Sequence, residues 1–459
     1  MKILIYSRRG NSSWWRFVGS NLHCASAIEM VSELRYEFGH SLATKFYSTL
    51  NDKNSSKYAA NFFTHLEICE IIVRCRLLRS IDNTLAVKMI GAMAVSIDEI
   101  LARVKPDVFL TTRIDSYVLD VFQRLLLMRK IPYVGLWRAA LFKDMCFITA
   151  RGEQNLIRHV PKDELKKSMT AVRSDGFEAT SIRGGKQKGL RSFIKKRAYY
   201  TCRDYFLNLQ RHFHRDPLGY RYMTSGLFVP EYRVSFADWK AINYGQLQWR
   251  TLITDFPINK RVFVALQVNP ESTIDYYVNN TEMIDCEKVL IKLITSLTSA
   301  GYIVCIKDHP NMFAMRPVRF FNSIASSGRV VIVPYDISSH ELIENCGVTF
   351  TWTGTVGIQS MLKGRKTIVT NPSYFDHRAH IQVDSFSDIE KLDEKISAFD
   401  VDSITDAVSY EVIERSLQAC FPGTIDFVGF NKNSKQAKAG AIALAESLDM
   451  YLPSFKKIT

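Results

Sequence analysis

Between Arg261 and Thr370 the sequence alternates short apolar runs with helical periods, and three of the runs end in turns built from Pro, Gly, Ser, Thr and Asn. Val262–Leu266 runs into Gln267–Ser272 (Q-V-N-P-E-S), Tyr302–Ile306 into Lys307–Pro310 (K-D-H-P), and Val348–Trp352 into Thr353–Gly357 (T-G-T-V-G). Short apolar runs that alternate with helices predict a parallel sheet covered on both faces. In such a sheet the strand carboxyl ends share one edge, and ligands bind in the crevice beside it. The three turns are therefore expected to meet.

The amino-terminal half repeats this rhythm more loosely. Lys2–Tyr6 predicts a first strand, Ser7–Ser13 a polar turn, and Ile28, Val31, Leu34 and Phe38 one face of a helix over Ala25–Phe38. Phe62–Leu78 and Val87–Val104 carry two further amphipathic periods. Val108–Thr112 reads as a strand, Arg113–Ser116 as a turn, the following residues to Arg129 as a helix, and Pro132–Leu136 as a strand. Arg113 and Asp115 lie just past a strand's carboxyl end, so both are expected to face a ligand. From Gly152 to Asp216 the sequence is polar, basic and helical in period.

A chain of 459 residues exceeds one ordinary core. The fold class expected is α/β with two Rossmann-like domains: residues 1–255 with a basic helical insertion, a linker at Asp255–Lys260, residues 261–430, and a C-terminal helix over 434–459 that packs back on the domains.

The formal net charge of +14 points to a polyanionic partner: nucleic acid, an anionic membrane face, or phosphate-bearing substrates. Its densest cluster is Arg183–Arg203, with Lys186, Lys188, Arg191, Lys195, Lys196 and Arg197 interleaved with Phe193, Tyr199 and Tyr200. The cluster reads as a solvated helix face or as a contact for anionic lipid headgroups. No nucleic-acid reader motif is present. Nine cysteines without repeated spacing, among them Cys69, Cys75, Cys305 and Cys346 in apolar surroundings, read as reduced core residues of a cytoplasmic chain rather than a disulfide frame or metal site. No run approaches the roughly 20 apolar residues that span a bilayer.

His309 sits where a strand opens into the crevice, and an imidazole there can hydrogen-bond a phosphate oxygen, with Pro310 aiming the turn and Lys307 reaching a second oxygen. The alternative is a loop histidine satisfied by the backbone. Thr353, Gly354, Thr355 and Gly357 combine close backbone approach with hydroxyls and helix-start N–H groups, a pattern suited to an anion. Ser338 with Glu341 reads as a capping box, and Ser339 beside it as a phosphate contact. Glu271 and Ser272 follow the first strand of this half, where a carboxylate accepts hydrogen bonds from sugar hydroxyls or caps the next helix.

The ordered array Q-x-x-P-E-S, K-D-H-P, T-x-T-G-T-x-G-I-Q resembles the capsule and surface polysaccharide glycosyltransferases of GT-B fold, including the Kdo transferases and, more distantly, the HP-motif sialyltransferases. The resemblance covers Arg261–Tyr374, roughly a quarter of the chain. Gln359 stands where the family has Glu, and Gly364-Arg365-Lys366 where it has G-K-P.

The resemblance implies two Rossmann-like domains facing across a cleft, a nucleotide sugar held by the carboxyl-side domain through Gln267, Glu271, Ser272, Lys307, His309, Ser338, Ser339, Thr353, Gly354, Thr355, Gly357 and Gln359, and an acceptor glycan, free or lipid-linked, on the amino side near Arg113. It favours a CMP-activated Kdo or sialic-like sugar, an inverting transfer without metal or other cofactor, Asp115 as base, and work at the inner membrane face. Asp115 reads equally as a helix cap. The alternatives are a teichoic-type polyol-phosphate transferase, a sugar-nucleotide epimerase, and a non-catalytic basic scaffold binding polysaccharide or nucleic acid.

Overall fold

The computed structural model describes residues 1–8, 10–33, 39–174, 177, 189–214, 234–269, 271–371, 379–403 and 406–455. Of these, the residues of Met1–Val160 and Ser416–Thr459 form one compact unit, and those of Pro161–Arg215 and Gly226–Arg415 form the other. This division departs from the expected one: the basic helical stretch groups with the second unit, and the boundary falls at Val160 instead of Asp255. The described part of the C-terminal helix, expected on either domain, packs in the first unit's core.

The first unit is built on β1 (Lys2–Tyr6), β2 (Ala27–Ser32), β3 (His40–Ser41), β4 (Val108–Thr112), β5 (Tyr133–Arg138) and β6 (Met145–Ile148). Their order, entered from the strand Cys420–Pro422, is β6-β5-β4-β1-β2-β3. The five strands β3, β2, β1, β4 and β5 are parallel. β6 and Cys420–Pro422 add antiparallel edges.

The helix expected over Ala25–Phe38 is instead β2, and 34–38 lie outside the described residues. A five-residue parallel ladder with β1, from Lys2↔Ala27 to Tyr6↔Val31, outweighs a helical period that the short segment cannot bury alone. The crossover helix is Ser12–Ser20, inside and beyond the expected turn. Its Trp14, Trp15 and Val18 are fully buried with Leu444 and Leu448 of the helix Lys435–Phe455.

The second unit carries β7 (Arg261–Ala265), β8 (Ile303–Lys307), β9 (Val330–Val333), β10 (Val348–Thr351), β11 (Lys366–Val369) and β12 (Ile381–Gln382), ordered β12-β11-β10-β7-β8-β9. All five pairings are parallel. Val262, Val264, Val304 and Ile306 pack into one core layer with the helix Cys286–Ser299, while Phe263, Cys305 and Val331 pack into a second with Trp249 and Leu342. Burial on both faces explains why these strands read as unbroken apolar runs.

Counted within its own unit, each sheet reads 3-2-1-4-5-6, the doubly wound Rossmann order, which confirms the α/β class. The order reverses between β1 and β4 in the first unit and between β7 and β10 in the second. Such switch points are where open α/β sheets bind ligands.

All nine cysteines are free, and Cys69 is exposed instead of lying in the core as expected. Among the described residues no helix is long and apolar enough to cross a membrane.

Candidate functional site

At the second unit's switch point Gln267, just past β7, is tied to Thr353, just past β10. The Gln267 side-chain oxygen accepts from the Thr353 backbone N–H at 3.2 Å, and its amide nitrogen donates to the Thr353 hydroxyl at 3.2 Å. The Gly354 N–H donates to Thr351 Oγ1 at 3.2 Å. A Cβ on Gly354 would stand 2.6 Å from Thr351 Oγ1 and 3.2 Å from Gln267 Nε2, so only glycine fits this approach.

The network runs on through Arg316. Its guanidinium donates to the Gln267 carbonyl at 2.7 Å and to Asp308 at 2.9 Å. Asp308 also accepts from the His309 backbone N–H at 2.8 Å and from the Tyr335 hydroxyl at 2.8 Å. The Arg316 and Asp308 side chains are 2% and 3% exposed, so the ion pair is dry and rigid. Loops following β7, β8, β9 and β10 are thus joined in one lattice, which brings Gln267, His309, Thr353 and Gly354 to a single sheet edge.

His309 Nδ1 accepts from the Asn311 backbone N–H at 3.1 Å, which leaves the ring proton on Nε2. Burial, reinforced by Lys307 and Arg316 and opposed by Asp308, pulls the imidazole down to about 4. At neutral pH His309 is therefore a neutral N–H donor. Lys307 closes β8 and is buried, and its ammonium makes no hydrogen bond among the described residues. Burial lowers its pKa against the pull of Asp308 and Asp336.

Thr355 stands at the start of the helix Val356–Leu362 and makes no side-chain cap bond. Gly357 is buried and bonds back to the Gly354 carbonyl at 3.0 Å. Ser338 caps the helix Ser339–Asn345 by accepting from the Glu341 N–H at 3.1 Å. The return half of the expected capping box is absent, because the Glu341 carboxylate pairs with Arg250. Ser339 is half-buried at the first position of that helix. Glu271 precedes the short helix Ser272–Asp275 without capping it through its side chain, and Ser272 is buried.

Gln359 Nε2 donates to the Phe177 carbonyl at 3.3 Å, and the His340 ring lies 3.0 Å from the same oxygen. An ionised carboxylate at 359 could not donate this bond.

The basic helix Gly189–His214 does not present all its charges to solvent. Phe193 is fully buried against Phe313 and Ala314. The Lys196 ammonium donates to the carbonyls of Asn311 at 3.0 Å and Phe313 at 2.6 Å, and its pKa falls to about 8 through burial and neighbouring Arg197. Arg197 is buried and donates to the Val234 carbonyl at 3.0 Å. These two charges brace the loop that carries His309, which corrects their expected place on a solvated or lipid-facing surface. Arg183, Lys186 and Lys188 lie outside the described residues.

In the first unit the switch point is bridged by charge. Arg8, past β1, donates to the two oxygens of Asp115, past β4, at 2.8 and 2.6 Å, and to the Ser116 hydroxyl at 2.5 Å. The expected cap role of Asp115 is not observed: Ser116 occupies the cap position of the helix Tyr117–Met128 and makes no side-chain cap bond. Arg113 is buried with its guanidinium 3.6 Å above the Trp137 ring. Tyr6 donates to Glu33, a residue 2% exposed.

Sequence reasoning missed Asp308 as a hub, Arg316, Tyr335, Arg8 and Glu33. The only advance signal was the acidic residue inside K-D-H-P; Arg8 and Glu33 carry no motif.

Residues 221–379 match the family model described as "Capsule polysaccharide biosynthesis protein". A comparison with curated protein sequences found no match. Among solved structures, the chain is similar to the KpsC beta Kdo 2,4 transferase of Thermosulfurimonas dismutans, with 11% identity, 69% of this chain and 82% of that one covered, and a TM-score of 0.38. It is also similar to the UDP-GlcNAc 2-epimerase of Methanocaldococcus jannaschii, with 12% identity, coverage of 91% and 99%, and a TM-score of 0.28. A glycosyltransferase from Rickettsia africae gives 12% identity, coverage of 100% and 99%, and a TM-score of 0.28. Over 221–379, the segment that carries the motifs, the chain is thus similar to the capsule polysaccharide biosynthesis protein family.

Proposed function

We propose that this chain is a glycosyltransferase of capsule or surface polysaccharide assembly. Its second unit binds a nucleotide-sugar donor and its first unit the acceptor glycan. The observation that carries this reading is the lattice Thr353–Gln267–Arg316–Asp308–Tyr335, which fixes four loops at a switch point beside a neutral histidine and a buried lysine. Rigid donors set before the reaction suit the stabilisation of charge on a leaving phosphate. The His309 Nε2–H and the Lys307 ammonium would serve that charge, with Thr353, Gly354 and Thr355 completing the cradle.

The acceptor oxygen forms its bond to the anomeric carbon as the bond to phosphate breaks, and its proton passes to a carboxylate on the acceptor side. The favoured donor is a CMP-linked Kdo or sialic-like sugar, transferred with inversion and without metal. The exposed side of the basic helix, with Leu190, Arg191, Ile194, Lys195 and Tyr199, is proposed to rest on an anionic membrane surface where a lipid-linked acceptor would be presented.

The test is a panel of CMP-, UDP-, GDP- and CDP-linked donors with capsule oligosaccharide acceptors. Sugar transfer with nucleotide release is expected from a CMP-sugar. Release from CDP-glycerol alone would make the chain a polyol-phosphate transferase, and epimerisation without transfer would make it an epimerase.

A further inference from the structure

We propose that Arg316 is the positioning residue of the second unit's switch point: its guanidinium holds the His309 turn and the Thr353–Gly354 turn in the one relative placement that a single nucleotide can meet. This deepens the nucleotide-sugar reading and rests on it.

β8 and β10 flank β7 on opposite sides, so the turns that follow them are two strand spacings apart, roughly 9–10 Å. Neither turn alone fixes that separation. The link between them is the loop after β7, where Gln267 bonds in both directions. Its side chain holds the Thr353 backbone N–H and hydroxyl, each at 3.2 Å, while its backbone carbonyl accepts from Arg316 at 2.7 Å. Arg316 Nε donates to Asp308 at 2.9 Å, and Asp308 in turn holds the His309 backbone N–H at 2.8 Å. One planar cation thus joins the histidine turn to the glycine turn, and a guanidinium suits the task because its donors stand in a fixed fork.

The turn that Arg316 closes is held against resistance. Ala314 has a φ of 60°, a left-handed conformation that its Cβ disfavours and that persists only where the surroundings fix it. On one side Lys196 donates to the Asn311 and Phe313 carbonyls, and Phe193 packs on Phe313 and Ala314. On the other, Arg316 returns the chain to Asp308, eight residues back.

Both side chains of the ion pair are buried. Desolvation offsets most of the attraction in such a pair, so it adds little net stability, and what it supplies here is direction. Its charges also reach His309. Burial lowers the His309 pKa most, Asp308 opposes it, and Lys307 and Arg316 reinforce it. The imidazole therefore registers the loss of Arg316.

The experiment titrates CMP, CDP, UDP and GDP into the full chain by calorimetry, follows the His309 ring against pH by NMR, and records thermal unfolding. Three variants are compared with wild type: Arg316→Gln, Arg316→Lys, and Arg316→Met combined with Asp308→Asn, which removes both charges and so strands neither in the interior. Wild type is expected to bind CMP, and the tightest-bound nucleotide serves as the probe for the variants. Arg316→Gln is expected to lose tenfold or more in affinity and to raise the His309 pKa from about 4 toward the ordinary value of about 6.5, since a charge that opposes Asp308 is gone. Arg316→Lys keeps a charge beside Asp308, so the His309 pKa should stay near about 4, but one ammonium replaces the fork and affinity should still fall severalfold. The charge-free pair is expected to unfold close to the wild-type temperature and to bind tenfold or more weakly, which separates positioning from stability.

Undiminished affinity in Arg316→Gln or in the charge-free pair overturns the assignment, as does an unmoved His309 pKa in Arg316→Gln or full affinity in Arg316→Lys. A merely structural role would lower the unfolding temperature and leave both readings unchanged in the folded protein. A wild type that binds none of the four nucleotides ends the nucleotide-sugar reading itself, whereas variants that bind as well as a binding wild type remove only the part given to Arg316.

Discussion

The Lys196 ammonium donates to the Phe313 carbonyl at 2.6 Å and to the Asn311 carbonyl at 3.0 Å, so the basic helix is pinned to the loop that follows His309. Lys196→Met leaves both carbonyls short of a donor, at a cost of about 1–3 kcal/mol. Reduced transfer, a lower melting temperature and unchanged cosedimentation with anionic vesicles are expected. A loss of vesicle binding with intact catalysis would return Lys196 to the surface.

The exposed charges of the same helix behave differently. Arg191→Gln with Lys195→Gln removes two positive charges from the outer face and touches no bond described above. Cosedimentation with phosphatidylserine vesicles at low salt should fall severalfold, since each basic residue near such a surface contributes about 1 kcal/mol. The melting temperature should not move.

For His309→Ala the expected loss of transfer is tenfold or more, with the fold intact. A neutral N–H bonded to an ionised phosphate oxygen contributes about 1.5–3 kcal/mol. Because its pKa lies at about 4, His309 stays neutral down to mildly acidic pH, and transfer should show no limb near the ordinary histidine value of about 6.5. A depressed histidine favours the fold above its unfolded pKa, and that contribution is lost as pH falls from about 6.5 toward 4. Thermal unfolding of wild type and His309→Ala across this window measures the difference.

Gln359→Glu places a carboxylate against the Phe177 carbonyl, where the amide now donates at 3.3 Å. A loss of about 1–3 kcal/mol at neutral pH is expected, shrinking as the pH falls and the new acid protonates. Urea unfolding at pH 7 and pH 4.5 checks it, and equal losses at both would rule out the charge argument.

Gly354→Ala forces a Cβ within 2.6 Å of Thr351 Oγ1 and close to the Gln267 amide. The expected result is a tenfold or greater rise in the donor nucleotide's Kd with a small change in melting temperature. Isothermal titration separates this from a folding defect.

Both sheets were legible in part because their central strands are buried on two faces. β1, β7 and β8 carry unbroken apolar runs, while β4 and β10 mix apolar residues with buried threonines, and all five are followed by turn residues. β2 was not legible, since its outer residues Ala27 and Ile28 are exposed and only long-range pairing with β1 makes it a strand. β6 escaped notice because its antiparallel return to β5 breaks the strand–helix alternation that guided the reading.

In the site, Gln267, His309 and Gly354 were findable because each sits in a turn whose composition demands explanation. Arg316 was not, for a buried arginine is recognised only by its partner Asp308 eight residues away and by a carbonyl far earlier in the chain. Glu33 lies in a stretch without turn chemistry, and only its burial and its bond from Tyr6 mark it.

The first unit receives its closing strand, Cys420–Pro422, and the Trp14-covering helix Lys435–Phe455 after every strand of the second unit has been made. On the ribosome the order of completion is therefore inverted: the second unit's sheet can finish while the first unit's sheet, begun first, still waits for its edge. Until those last residues emerge, β6 offers an unpaired row of backbone donors and acceptors to any passing chain, and a premature stop near Arg415 leaves that row open for good. Nonsense mutations late in the gene should for this reason yield aggregation rather than a merely shortened chain.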